Sequence, residues 1–241
     1  MKQKNDFVVF ILTYGRPEKQ ITTRTLRNQG YTGKIYYLCS DDDCTLDQYK
    51  SIYGDDVIVF NKQKYKECFD IGNNFENYRG VVYARNANFK IAEEMGIKYF
   101  IQLDDDYTNF NLRFDRDLNY KFQSPKNLDV LFQLVMDFFI ESNFTCIALG
   151  QGGDYFGGQQ GTFSDAIKVK RKVMNSFFCS TDRPFKFHGQ INEDTTAYID
   201  GGMRGLLFAT INQFALQQVQ TQESSGGLTE LYLDAGTYVK S

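Results

Sequence analysis

The segment Phe7-Val8-Val9-Phe10-Ile11-Leu12 is an uninterrupted apolar run that stops on Thr13-Tyr14-Gly15-Arg16-Pro17. A strand apolar on both faces needs cover on both faces, and a parallel sheet between helices provides it. The motif recurs. A polar helical stretch from about Glu18 to Asn28 leads to a strand over Lys34 to Ser40, a helix near Leu46 to Tyr53, and a strand over Val57 to Phe60. This alternation predicts an α/β fold, with a mostly parallel sheet joined by right-handed crossovers. Farther on, Ala87, Ile91 and Met95 predict a helix over Arg85 to Met95 with Gly96 as its stop, followed by a strand over Ile97 to Leu103. Leu128, Leu131, Phe132, Val135 and Phe139 mark an amphipathic helix with Asn127 at its cap position. A strand over Thr145 to Leu149 opens into a glycine-rich loop from Gly150 to Gly161. The segment Ala166 to Lys172 reads as an alternating strand, Thr210 to Thr221 as a helix, and Ser224-Ser225-Gly226-Gly227 as a loop. The 241 residues suit a single domain.

Composition narrows the function. A hydrophobic fraction of 42% with 24% charged residues fits a soluble globular chain, not a disordered or membrane-spanning one. The net charge of −3 supplies no broad positive field, so a nucleic-acid partner would have to be held by a local patch. Five cysteines without a CxxC spacing give neither a zinc motif nor a disulfide framework, and reduced intracellular thiols account for them. The Phe7 to Leu12 run is too short for a signal-peptide core or a membrane span, so the expectation is a cytoplasmic chain with no membrane partner. No feature signals an obligate protein partner.

The strongest chemical signal is the apolar segment Ile97 to Leu103 running directly into Asp104-Asp105-Asp106. Ligands bind outside the carboxyl ends of strands in open parallel sheets, and adjacent carboxylates repel one another unless a cation joins them. A solvated acidic turn is the plain alternative. The second triplet, Asp41 to Asp43, also follows a strand; it reads either as a helix-capping loop or, through Asp41, as a nucleoside contact. Arg85 sits near a helix start. It is either an exposed surface arginine or, with the orphan amides there, a diphosphate ligand. The segment His188-Gly189-Gln190-Ile191-Asn192-Glu193-Asp194 holds the sole histidine and an acid pair, from which a general base can be drawn. Lys168, Lys170, Arg171 and Lys172 form the densest basic cluster. They either track a phosphate backbone or guard a strand edge.

Taken together, the segment Phe7 to Arg16, the strand-terminal acid triplet and the later acid pair resemble the GT-A glycosyltransferases. Ala84-Arg85-Asn86, Leu103-Asp104-Asp105-Asp106-Tyr107, His188 to Asp194 and Asp234 to Ser241 further resemble the TET-associated glycosyltransferases of bacteriophages. The resemblance implies a Rossmann-like GT-A fold in which residues 1–106 form the nucleotide-sugar-binding half and 107–241 the acceptor-side half. It implies Asp104 and Asp106 as ligands of Mn²⁺ or Mg²⁺, with His188, Asp234 or water completing the set. It implies Asp194 as base, with Glu193 as the next candidate. Thr13, Tyr14, Gly15, Arg16, Asp41, Arg85, Asp104 and Asp105 then serve the donor, a UDP-sugar, and the Lys168, Lys170, Arg171, Lys172 cluster serves DNA carrying hydroxymethylated pyrimidines. Transfer to a protein or glycan, sugar nucleotidyl transfer, metal-dependent nuclease activity and an inactive binding module are the competing readings.

Overall fold

The computed structural model describes residues 7–66, 80–117, 119–155, 166–169, 171–190 and 192–219. Strand β1 (Phe7–Leu12) lies between two parallel neighbours, β2 (Ile35–Ser40) and β4 (Tyr99–Asp104), and β2 pairs in parallel with β3 (Val57–Phe60). Helix α1 (Ile21–Asn28) joins β1 to β2, and α2 (Leu46–Tyr53) joins β2 to β3. A short α3 (Lys62–Lys66) follows, and α4 (Val82–Glu94) precedes β4. This half has the parallel order that the βα alternation predicts.

Beyond β4 the sheet becomes mixed. The remaining strands are β5 (Tyr107–Phe114), β6 (Tyr120–Gln123), β7 (Cys146–Gly150), β8 (Ile167–Lys168), β9 (Ser176–Ser180) and β10 (Phe208–Gln218). Among the described residues one continuous sheet runs β3-β2-β1-β4-β9-β7-β10-β5-β6, with β8 attached to β10. Strand β9 runs antiparallel to both β4 and β7, so its amino end lies at the edge where β4 delivers its acids.

Both faces are covered. Phe10, Leu12, Phe100, Phe177 and Phe208 pack beneath α4 and the Ala197 side of α6 (Glu193–Met203). Val9, Ile11, Ile101, Leu103 and Phe178 pack beneath α1 and α5 (Leu128–Glu141). The alternation along β1 and β4 explains why both strands read as solid apolar runs.

Three expectations are corrected. Thr210 to Thr221 is not helical: within that span β10 runs to Gln218, and residues from 220 onward lie outside the described residues. The Ala, Leu and Gln content favours a helix, but β10 pairs with β7 through Ile211 and, after a register shift, again at Ala215, and it pairs with β5 from Phe214. Paired edges outweigh propensity there. The alternating segment Ala166 to Lys172 contains only the two-residue β8, because the chain leaves β10 after Thr210 and Ile211. Asn127 occupies the cap position of α5 without a side-chain cap hydrogen bond. The glycines from Gly157 to Gly161, the Ser224 to Gly227 loop and the Asp234 to Ser241 motif lie outside the described residues.

Phe132 is fully buried on α5, with rings of Tyr31, Phe110, Phe178 and Phe214 around it. Phe132→Ala removes the centre of that cluster and is expected to cost about 3–5 kcal/mol. Urea denaturation followed by far-ultraviolet circular dichroism measures it.

Candidate active site

The site begins with register. Leu12 pairs with Asp104, so the residues that follow each, Thr13 and Asp105, emerge side by side beyond the strand ends. The Thr13 hydroxyl donates to Asp105 at 2.6 Å, and Arg16 forms an ion pair with the other oxygen of Asp105 at 2.8 Å. Gln20 donates to the same Thr13 oxygen, which also bonds the Tyr49 hydroxyl. Asp105 is thereby internal and structural. Burial pushes its carboxyl up, and Arg16 and Thr13 counter that only in part. Thr22 of α1 fixes the triplet's backbone by donating to the Asp104 carbonyl and accepting from the Tyr107 amide.

The neighbouring loop is closed by Asp43, not Asp41. Asp43 is buried and accepts from Gly15, which has φ +70, and from the backbone and hydroxyl of Thr45. Asp41 is exposed and accepts from the Asn61 side chain and the Lys62 amide. Tyr14 is exposed beside it, with its hydroxyl on the Asp42 carbonyl and Lys62 facing its ring. Thr13, Tyr14, Gly15, Arg16 and Asp41 therefore share one edge.

Strand alternation turns Asp104 toward α4, where Arg85 waits in the first turn. The Arg85 guanidinium, 2% exposed, donates to both oxygens of Asp104 at 3.0 and 3.1 Å and to Glu193 at 3.1 Å. Phe177 and Phe187 cover it at 4.6 and 5.8 Å. Burial opposes its charge, but Asp104 and Glu193 outweigh burial and hold Arg85 firmly protonated. Arg85 is thus not an exposed surface residue: it joins the strand-end acid to the later acid pair, and its other terminal nitrogen, Nη1, has no hydrogen-bond partner among the described residues. Glu193 is itself buried, and burial raises its carboxyl more than Arg85 lowers it.

Glu193 and Asp194 open α6, where acidic side chains complement the helix amino end. Asp194 is held by Lys172 at 2.9 Å on one oxygen and by the Thr195 amide at 2.7 Å on the other. His188 is directed elsewhere, its Nε2 lying 3.7 Å from Asp200 farther along α6. Among the described residues no group of three or more His, Cys, Asp and Glu is placed to hold a metal, so the set Asp104, Asp106 and His188 is not brought together. Asp234 lies outside the described residues.

Asp104 and Asp106 remain as an open carboxylate pair. Asp104 keeps 27% of its side chain exposed, and the Asp106 carboxyl accepts no hydrogen bond from another side chain among the described residues. Burial first, then Asp104 and Asp105, push Asp106 up to about 7. Such a donor set fits a divalent cation shared with a diphosphate, where the protein supplies only one or two carboxylates. A bound cation reverses that upward shift.

The basic cluster is dispersed. Arg171 pairs with Asp154 and Lys172 with Asp194; Lys168 lies in β8, and Lys170 is outside the described residues. Among the described residues only Lys168 lies in a strand, so Lys168 and Lys172 do not share a strand face. Conversely, Gln151, Asn175 and Gln218 converge at the ends of β7, β9 and β10: Asn175 donates to Gln151 at 3.0 Å and to Gln218 at 2.7 Å. The left-handed Asn175 (φ 65) accepts from the Tyr107 hydroxyl, which also reaches Asp104. The residues are far apart in sequence, and only the unforeseen β9 and β10 unite them.

An open α/β sheet with acids at the carboxyl end of a central strand defines the GT-A glycosyltransferase fold, which solved structures share. Glucosyl-3-phosphoglycerate synthase from Mycobacterium tuberculosis, solved with Mg²⁺ and UDP, superposes with a TM-score of 0.51 at 10% identity, covering 93% of this chain and 73% of that one. S. aureus TarS 1-349 in complex with UDP superposes with a TM-score of 0.52 at 15% identity, covering 90% and 62% respectively. No curated protein matches in sequence. The model of the TET-associated glycosyltransferase family matches residues 7–227, and the chain belongs to that family. It is a glycosyltransferase.

Replacing Arg85 with Met leaves two carboxylates without their shared cation. The expected loss of stability is about 3–5 kcal/mol, whereas Arg85→Lys loses less because one charge contact survives. Chemical denaturation of both variants checks the order.

Proposed function

We propose that this glycosyltransferase moves a sugar from a UDP-sugar to the hydroxyl of a hydroxymethylated pyrimidine in DNA, in a divalent-cation-dependent reaction. The observation that carries the chemistry is the Arg85 bridge, which sets the donor-side Asp104 and the acceptor-side Glu193-Asp194 pair in one fixed frame. The nucleotide rests on the half formed by residues 1–106, with Thr13 to Arg16 and Asp41 at the nucleoside. Asp104 and Asp106 would hold Mn²⁺ or Mg²⁺, which neutralises charge on the departing diphosphate when bound. Asp194 accepts the proton of the attacking hydroxyl as the new glycosidic bond forms and the bond to the diphosphate breaks. Lys172 and the Thr195 amide orient that carboxylate and leave it lone pairs for the proton. Glu193, held by Arg85, keeps the helix start in place.

The DNA acceptor is supported by the family resemblance, not by the dispersed basic cluster. Arg171 and Lys172 face internal acids and contribute to the site's architecture. The same reading implies a cytoplasmic setting; among the described residues no helix is long and apolar enough to cross a membrane.

Incubation with UDP-sugars, Mn²⁺ and duplex DNA containing 5-hydroxymethylcytosine is expected to give a glycosylated nucleoside by mass spectrometry, and unmodified duplex none. Asp194→Asn is expected to retain UDP binding and to lose about 10²- to 10⁴-fold in transfer rate. Full activity in that variant would move the base elsewhere. In calorimetry, UDP affinity is expected to fall when EDTA replaces Mn²⁺ and when Asp106 is changed to Asn; equal affinity in all three conditions contradicts the cation's role.

A further inference from the structure

We propose that Gln151, Asn175 and Gln218 form the subsite that reads the hydroxyl groups of the transferred sugar. The inference rests on the proposed UDP-sugar donor site and adds where the sugar lies and what selects it.

The order of strand ends sets the direction. Along the edge come β2 with Asp41 to Asp43, β1 with Thr13 to Arg16, β4 with Asp104 to Asp106, then β9 with Asn175 and β7 with Gln151. A nucleotide sugar is linear: nucleoside, diphosphate, sugar. With the nucleoside over β1 and β2 and the diphosphate at Asp104 and Asp106, the sugar falls over β9 and β7. Neighbouring strands are about 4.8 Å apart, so the subsite begins one strand spacing past the acids. Gln218 closes it from β10, whose end is tied to the triplet by the Val219 amide donating to the Asp106 carbonyl.

The chemistry agrees with the position. All three side chains are neutral amides and half-buried. Each carries both donor and acceptor atoms, as a sugar hydroxyl does. Asn175 uses its amide nitrogen on the two glutamine oxygens. That leaves the Asn175 oxygen as an acceptor and the Gln218 nitrogen as a donor, with no partner for either among the described residues. The Gln151 nitrogen makes only a 3.4 Å contact to the Met174 carbonyl. The internal bonds fix the orientation of each amide, and Tyr107 holds the Asn175 backbone in the left-handed region. A hydroxyl of the correct configuration satisfies the open pair, and an epimer leaves it unpaired.

The test uses Asn175→Gly, which accommodates the positive φ, and Gln218→Met, which preserves chain length without hydrogen bonding. Melting curves confirm folding, and calorimetry with Mn²⁺ compares UDP with UDP-glucose, UDP-galactose and UDP-N-acetylglucosamine. Wild type is expected to bind its preferred UDP-sugar more tightly than UDP. Each variant is expected to lose about 3- to 10-fold of that affinity, the worth of one hydrogen bond, to narrow the ranking among the sugars and to bind UDP as before. Unchanged sugar affinity and ranking in both variants overturns the subsite, as does an equal loss for UDP, or a wild type that does not distinguish UDP from any UDP-sugar. A wild type that binds no UDP overturns the proposed UDP-sugar donor, and the subsite argued from it.

Discussion

Arg85 is the constraint around which the site is built. A fully buried guanidinium is tolerated only when its charge is matched. Here Asp104 and Glu193 match it, and Phe177 and Phe187 exclude water from its faces. The three charged residues come from α4, from the end of β4 and from the start of α6. One side chain therefore fixes the relative positions of a strand end and two helix ends. Loops alone would not hold carboxylates to the tolerance that catalysis requires.

The rest of the edge is organised in the same way, with each acid given a separate task by its surroundings. Asp105 turns inward to Thr13 and Arg16 and locks β1 to β4, while Asp43 locks the β1 loop to the end of β2. Asp106 and the exposed side of Asp104 face outward. Three adjacent carboxylates thus divide into one structural residue and two that can meet a cation. The division follows from strand alternation and from which partners lie within reach.

Much of this was legible in the sequence where signals are local. The solid apolar runs of β1 and β4 and the acids that follow them located the central strands and the edge on which those acids lie, because burial on both faces leaves a composition that is hard to mistake. The family resemblance linked Asp104 with Glu193 and Asp194. What escaped depended on contacts distant in sequence. Strand β10 looks helical by composition because its stability comes from pairing, not propensity. Strand β9 carries a short Phe177-Phe178-Cys179 run whose antiparallel placement no local pattern announces. Without these two strands the Gln151, Asn175 and Gln218 cluster has no reason to exist, and Lys172 reads as a surface charge instead of the partner of Asp194.

The bonds of Arg85 to Asp104 and Glu193 make it an internal bridge between the end of β4 and the start of α6. A crystal structure of the protein with UDP and Mn²⁺ tests it most directly. Arg85 is expected to stay bonded to Asp104 and Glu193 while the metal-bound diphosphate sits beside Asp104 and Asp106. An Arg85 side chain that has left Glu193 to bond the phosphate oxygens would contradict it.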